Sequence, residues 1–251
     1  MTRSLAFALA GLVLSFSSSV VSADGHEEEG RDTSFTLLTS QDNFFGFYPS
    51  FNGLVEVNDN MDFSFYGILW TRDAFGTTGT GDDLWTEFGA GVNLKYMDGR
   101  LNVKPQIGIT NGSLLSGGET DSDGNTGGYF LDGIVPSLTI NYADDRFESE
   151  WYSGYYLAAR DGDTERTNDF LHLWLNGGYR FSNYVSAGLH YEWLEQTDGA
   201  APGAEETVYI WLGPYVQFSL PKGFFARFSA GSDISDDGTG DFYKLNVGMT
   251  F

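Results

Sequence analysis

The chain has 251 residues and a formal net charge of -22, with 35 acidic against 13 basic side chains. This charge excludes nucleic-acid binding by phosphate neutralisation, which needs an excess of Lys and Arg. Aromatic residues make up 16% of the chain, too many for a disordered polyelectrolyte. The absence of cysteine excludes a disulfide scaffold, thiol catalysis and cysteine-ligated zinc.

The first 23 residues have the layout of a secretory signal peptide. Arg3 supplies the positive start, Leu5 to Leu14 the apolar stretch, and Val21-Ser22-Ala23 the small-residue cleavage site. We therefore predict a cleaved signal peptide over 1–23, an acidic N-terminal segment over 24–32 and one domain over 33–251; an uncleaved anchor is the alternative. No later stretch reaches the roughly 18 consecutive apolar residues of a transmembrane helix.

Apolar residues in the rest of the chain recur at every second position, which is the period of a β-strand. The alternation predicts an all-β chain of about twelve strands, with 10 or 14 as alternatives. The predicted strands cover about 33–39, 44–57, 61–70, 84–96, 101–110, 130–142, 147–158, 170–180, 184–194, 208–219, 223–232 and 242–251.

The connections between these strands alternate in length after the second strand. Short turns are predicted at 58–60, 97–100, 143–145, 181–183 and 221–222, and long loops at 71–83, 111–129, 159–169, 195–207 and 233–241. Short turns at one end and long loops at the other are typical of a transmembrane up-and-down antiparallel β-barrel.

Charged residues inside the predicted strands fall on one face, opposite the apolar face. They are Glu56, Asp62, Glu87, Lys95, Lys104, Glu148, Glu150, Arg180, Glu192, Arg227 and Lys244. Asp132 is the exception, near a strand end where a bulge or loop could accommodate it. The strands of a soluble sandwich or a lipocalin also alternate apolar and polar residues, but their apolar face points inward. The alternation of residues, or parity, therefore leaves both topologies open when taken alone.

Three further features favour a membrane barrel. The strands are long enough to cross a bilayer when tilted, and the charged face is also rich in Gly, Ser, Asn and Tyr, which suits a polar lumen. Aromatic residues recur on the apolar face at the short-turn end, where an interfacial girdle is expected. These residues are Tyr96, Tyr142, Phe147, Tyr179, Phe218 and Phe251.

The signal peptide, the even strand count and the closing strand 242–251 resemble Gram-negative outer-membrane β-barrels, and the layout is similar to uncharacterised exported porin-like families. The resemblance implies that the closing strand is read by the barrel-assembly machinery, through Tyr243, Leu245, Val247 and Phe251. It also implies the bacterial outer membrane as location, with lipid and lipopolysaccharide around the barrel. Pro49, Pro105, Pro136 and Pro214 fall within predicted strands and could mark bulges that shift the register.

Function is predicted from the lumen and the loops. Twelve strands suit a narrow channel, and acidic loops would attract cations at its external rim. We therefore predict a passive channel for small solutes; the alternative is a non-conducting structural or adhesive barrel whose loops bind divalent cations, lipopolysaccharide or a partner. The predicted channel lining comprises Glu87, Lys95, Lys104, Glu148, Glu150, His172, Arg180, His190, Glu192, Arg227 and Lys244.

Three groups of residues could bind metal ions. A turn at 181–183 would place His172 opposite Glu192 and Trp174 opposite His190, and such an inward trio could bind a transition metal, act as a pH-dependent gate, or form a structural network. A mature chain starting at Asp24 would begin Asp24-Gly25-His26, a site that Cu(II) or Ni(II) favours. Divalent cations could bind the acidic stretches 82–83, 121–125 and 233–241.

No catalytic constellation is evident in the sequence. Ser186 and His190 share a face, but four residues along a strand separate them by about 13 Å. Phosphate-binding loops and the Gly-x-Ser-x-Gly motif are missing. We therefore predict that the protein is not an enzyme and has no resident cofactor.

Overall fold

A computed structural model describes residues 32–71, 84–116, 119–120, 126–160, 167–199, 206–235 and 240–251. The predicted signal peptide and the Asp24-Gly25-His26 site lie outside the described residues. The same holds for the acidic stretches 82–83 and 121–125 and for residues 236–239. Among the residues that the structure describes, no helix combines the length and the apolar composition needed to cross a membrane.

Twelve antiparallel strands form one closed barrel in which each strand pairs with its neighbours in the chain and the last pairs with the first. This confirms the predicted fold class. The strands are β1 Thr33–Asp42, β2 Gly46–Asn58, β3 Met61–Thr71, β4 Leu84–Tyr96, β5 Leu101–Gly112, β6 Tyr129–Ala143, β7 Phe147–Ala158, β8 Asn168–Arg180, β9 Val185–Gly199, β10 Glu206–Ser219, β11 Phe224–Asp233 and β12 Asp241–Thr250. A separate two-stranded ladder joins Glu119–Thr120 to Thr126–Gly127 between β5 and β6.

The barrel closes where β1 meets β12. Phe35 and Phe251 exchange two backbone hydrogen bonds of 2.8 and 2.9 Å, and their rings lie 6.2 Å apart. Tyr243, Leu245 and Val247 of β12 point outward and are exposed, as is Phe251. The closing strand therefore presents an apolar row on the outer surface up to the last residue.

Tight turns define one end of the barrel, called here the turn end; the opposite end is the loop end. Between β4 and β5, Asp98 and Gly99 have φ values of 57° and 79°, the left-handed pair of a type I′ hairpin turn. Between β6 and β7, the Tyr142 hydroxyl and the N–H groups of Arg146 and Phe147 donate to Asp144, and these bonds lower the pKa of its carboxyl to about 2.

The strand prolines do not shift the register. Pro49, Pro105, Pro136 and Pro214 all lie in stretches of constant pairing, so the bulges considered possible at these positions do not occur. Register shifts occur elsewhere, including one at the junction of β5 and β6, where Leu131 has a φ of 58°. This irregularity buries Asp132, which accepts hydrogen bonds from the N–H groups of Leu115 and Ser116. A bulge thus accommodates the one charge predicted on the apolar face.

The two faces of the barrel are inverted relative to a soluble protein. Large apolar side chains such as Ile107 (64% exposed) cover the outside, whereas Glu87 and Glu192 are 0% exposed inside. A soluble sandwich or lipocalin would have the opposite arrangement, and a lipid-facing surface requires this one. Five of the six predicted girdle aromatics are exposed at the turn end, and Tyr142 is half-buried.

Candidate functional site in the barrel lumen

A buried carboxylate, Glu192 on β9, forms the centre of the largest polar cluster in the lumen. Lys244 Nζ, from β12, donates to its Oε2 over 2.6 Å. His190 Nε2 lies 3.1 Å from Oε2, and His172 Nε2 lies 2.9 Å from Oε1. The Tyr209 hydroxyl adds a bond of 2.9 Å to Oε1. The cluster therefore ties β8, β9, β10 and β12 together across the lumen, with the carboxylate charge balanced by the ammonium.

The predicted register of β8 and β9 is wrong by two residues. His172 pairs with Leu194, Trp174 with Glu192 and Asn176 with His190. The turn is longer than 181–183, since Phe181 N–H bonds the carbonyl of Val185. A shift of two leaves every side chain on its predicted face, so the His172, His190 and Glu192 trio still assembles inside the barrel.

A second buried carboxylate, Glu87 on β4, is held by neutral donors. The Tyr66 hydroxyl donates over 2.7 Å, the Trp70 indole N–H over 3.2 Å and the Tyr156 hydroxyl over 3.1 Å. Among the described residues Glu87 has no salt bridge. Tyr156 belongs to β7, so this bond also crosses the lumen.

A third polar cluster lies closer to the turn end. Glu150 accepts hydrogen bonds from Trp174 Nε1 (2.7 Å) and from Arg227 (3.3 Å). Glu148 accepts from the Ser186 and Tyr215 hydroxyls, over 2.7 and 2.8 Å. The side chain of Glu150 is 30% exposed, in contrast to the two fully buried carboxylates. These groups are therefore placed to meet water and solutes in the lumen.

The remaining predicted lining residues are separate from these clusters. Lys95 pairs with Asp62 over 2.8 Å. Arg180 donates to the backbone carbonyl of Asp144 over 2.8 Å, at the turn end. Lys104 lines a lumen cavity together with Glu150, but it forms no salt bridge within the described chain. Its ammonium is thus available to a solute.

Two phenylalanines that the sequence analysis did not single out narrow the lumen at the loop end. Residues 43–45 form a tight turn between β1 and β2, although Phe44 and Phe45 were predicted to begin the second strand. Asp42 Oδ1 accepts their two N–H groups, at 3.0 and 2.6 Å. The Phe45 ring then lies 4.7 Å from Trp70 and 5.7 Å from His172, centroid to centroid. The turn therefore folds inward over the lumen.

The described residues line several cavities in the lumen. One of about 150 Å³ lies at the loop end, and one of about 300 Å³ with a mixed polar lining lies below it. A third, of about 280 Å³, contacts Glu150 and Arg227. Trp70, Tyr156 and His172 line both of the first two cavities. These three side chains lie where the two cavities adjoin, and this position is called here the constriction.

In the described part of the lumen, no group of three or more His, Asp or Glu side chains is arranged to hold a metal ion. Instead, His172, His190 and Lys244 all approach the oxygens of Glu192. At the loop end, Asp233 accepts the N–H groups of Ile210 and Ser235, so its carboxylate stabilises the local backbone.

A closed twelve-stranded barrel with an apolar outer surface, an aromatic girdle and a polar interior defines an outer-membrane β-barrel of the porin-like type. A family model matches residues 1–251, and the chain belongs to that family, the family of unknown function DUF6733.

Solved structures of outer-membrane channels and porins have folds similar to that of this chain. The COG4313 outer membrane channel from Pseudomonas putida F1 is similar with a TM-score of 0.53 and 9% identity, over 91% of this chain and 100% of that chain. The NanC porin is similar with a TM-score of 0.50 and 7% identity, over 86% and 98% of the two chains. At such identities the similarity concerns the fold alone. A search of the curated proteins gave no match.

Proposed function

We propose that this outer-membrane barrel is a narrow passive channel for small solutes. The observation that carries the proposal is the cavity of about 300 Å³ inside the closed barrel, lined by hydroxyl, amide and charged side chains. Such a lining replaces part of a solute's hydration shell, which an apolar interior could not do. Lys104 and Glu150 offer one charge of each sign to a passing solute.

The constriction sets the size limit of this channel. Trp70, Tyr156 and His172 separate the outer cavity from the polar one, and Phe45 packs against Trp70 and His172. Solute passage requires these side chains to change rotamer. The Phe44–Phe45 turn is the movable part, because it is a three-residue connection rather than a strand.

Replacing Phe45 by alanine should increase single-channel conductance in planar bilayers, because it removes a ring that packs over the constriction. The matched control is Phe51→Ala, which removes the same ring from the exposed outer surface and should leave conductance unchanged. An absence of stepwise current in both the wild type and Phe45→Ala would contradict the channel.

The second candidate is a non-conducting structural or adhesive barrel. It is favoured by the bonds that cross the lumen, from Tyr156 to Glu87 and from Lys244 to Glu192. In that case the acidic loops would bind divalent cations, lipopolysaccharide or a partner. The conductance experiment separates the candidates, since this one predicts no current from either protein.

Three further proposals concern the acidic loops, the closing strand and the signal peptide. The acidic loops form an external rim that attracts cations within about a Debye length. At the closing strand, the exposed row Tyr243, Leu245, Val247 and Phe251 is the segment that the barrel-assembly machinery reads. A cleaved signal peptide over 1–23 directs the export that precedes this assembly.

A further inference from the structure

The cavity at the loop end differs from the rest of the lumen in its lining. Aromatic and aliphatic side chains surround it, including Phe45, Trp70, Trp85, Leu114 and Val208. Among the described residues that line it there is no Lys, Arg, Asp or Glu. The polar cavity beyond the constriction has both charges and amides, so the channel has an apolar compartment in front of a polar one.

A strand irregularity places Val208 in this wall. The pairing of β9 with β10 shifts between Leu194 and Glu195, which leaves Val208 without a pairing partner. Such a bulge redirects a side chain relative to the alternation of the strand. Val208 and its neighbour Tyr209 therefore both contact the apolar cluster around Leu194 and Trp211.

One polar group in the cavity wall lacks a partner. The Trp85 side chain is buried, and among the described residues its indole N–H has no hydrogen-bond acceptor. The neighbouring Trp70, stacked on it at 5.6 Å, donates its own N–H to Glu87. A buried donor without an acceptor is costly, and a ligand that supplies an acceptor would remove that cost.

We propose that this cavity binds a neutral, single-ring aromatic molecule that carries a hydrogen-bond acceptor, with Trp85 as the donor. The volume of about 150 Å³ is about that of an apolar cavity that holds one benzene ring. The ligand is neutral because a charged one would be desolvated here, and the described lining residues supply no Lys, Arg, Asp or Glu as a counter-charge. The inference goes beyond the channel function, because binding requires no passage through the constriction.

The test compares 4-fluoroanisole with 4-fluoroethylbenzene, which have nearly the same shape but differ in the acceptor oxygen. Binding to the full chain in detergent micelles is followed by fluorine NMR. We expect saturable binding of both, with the anisole tighter. Trp85→Phe keeps a ring but removes the donor, and should weaken 4-fluoroanisole about fivefold, the net value of one hydrogen bond, while 4-fluoroethylbenzene changes less than about twofold.

Val208→Trp fills the cavity and should abolish binding of both probes. Its control is Leu212→Trp, which adds the same bulk to the exposed outer face of the same strand and corrects for partition into the micelle. Equal binding to Val208→Trp and Leu212→Trp would overturn the site. If Val208→Trp does not show the heat-modifiable gel mobility of a folded barrel, Trp85→Phe decides: an unchanged preference for 4-fluoroanisole would overturn the assigned role of Trp85.

Discussion

Replacing Glu192 by leucine is expected to lower the free energy of unfolding by about 3–5 kcal/mol, the cost of breaking a buried ion pair by removing one partner. The variant leaves the Lys244 ammonium buried without its counter-charge, which lies 2.6 Å away in the wild type. His172, His190 and Tyr209 lose their common acceptor as well. The loss should appear as a lower midpoint in reversible urea unfolding from lipid vesicles.

Two control variants distinguish the loss of the buried ion pair from a general loss of stability. Glu56→Leu removes a carboxylate that is 31% exposed and 4.0 Å from its partner Lys95, and should cost less than about 1 kcal/mol. Adding Lys244→Met to Glu192→Leu should restore a large part of the stability, because an apolar pair is tolerated where a single buried charge is not. A Glu192→Leu protein as stable as Glu56→Leu would contradict the role assigned to the cluster.

Replacing Ile107 by arginine should cost about 2–4 kcal/mol, the value for a basic residue on the lipid face at the bilayer midplane. Ile107 lies near the middle of β5 and is 64% exposed. On a soluble protein such an exposed substitution would change stability by less than about 0.5 kcal/mol. The measurement is again urea unfolding from vesicles.

The matched control for Ile107→Arg is Asn60→Arg, which adds the same side chain to an exposed position in the turn between β2 and β3. This residue lies outside the membrane-spanning strands, so its replacement should be nearly neutral. Equal unfolding free energies for the two variants would show that Ile107 faces water, and the outer surface would then need another explanation.

Side-chain parity predicts the two faces of the barrel well, because a strand alternates its side chains with a period of exactly two residues. Parity put Glu192 and Lys244 on the charged face, strand length and the positions of the aromatic residues predicted that this face points inward, and both residues are buried. The tight turn at Asp98-Gly99 was equally predictable, since these residue types favour the left-handed backbone of a hairpin. Strand number and connection order follow from the same local signals.

Register depends on turn geometry that parity does not encode. The turn between β8 and β9 includes Tyr184, because the Ser182 hydroxyl accepts the N–H groups of Tyr184 and Val185. This bond moves the first pair to Arg180 and Ser186. Only a register shift by an even number of residues keeps the polar face of β8 and β9 inside the barrel. The meeting of His172, His190 and Glu192 was therefore predictable, and the residues paired across the two strands were not.

The inward turn at Phe44 and Phe45 was missed for a different reason. Two apolar residues after a strand gap look like the start of the next strand. Asp42 was placed in the gap between the first two predicted strands, and Gly46 was read as part of the second strand. Asp42 in fact caps the turn with its carboxylate, and Gly46 has a φ of 69°. An Asp-Asn pair followed by glycine is a turn signal and could have identified it.

The most direct test of the inverted barrel uses the absence of native cysteine. Single cysteines at each position from 35 to 39 in β1, carrying a spin label in lipid vesicles, report accessibility to oxygen and to a water-soluble nickel complex. Positions 35, 37 and 39 lie on the exposed outer face and should be accessible to oxygen and protected from nickel. Positions 36 and 38 line the lumen cavity and should show the reverse. Equal accessibility at all five positions, or the opposite alternation, would contradict a barrel with its apolar face in lipid and its charges in the lumen.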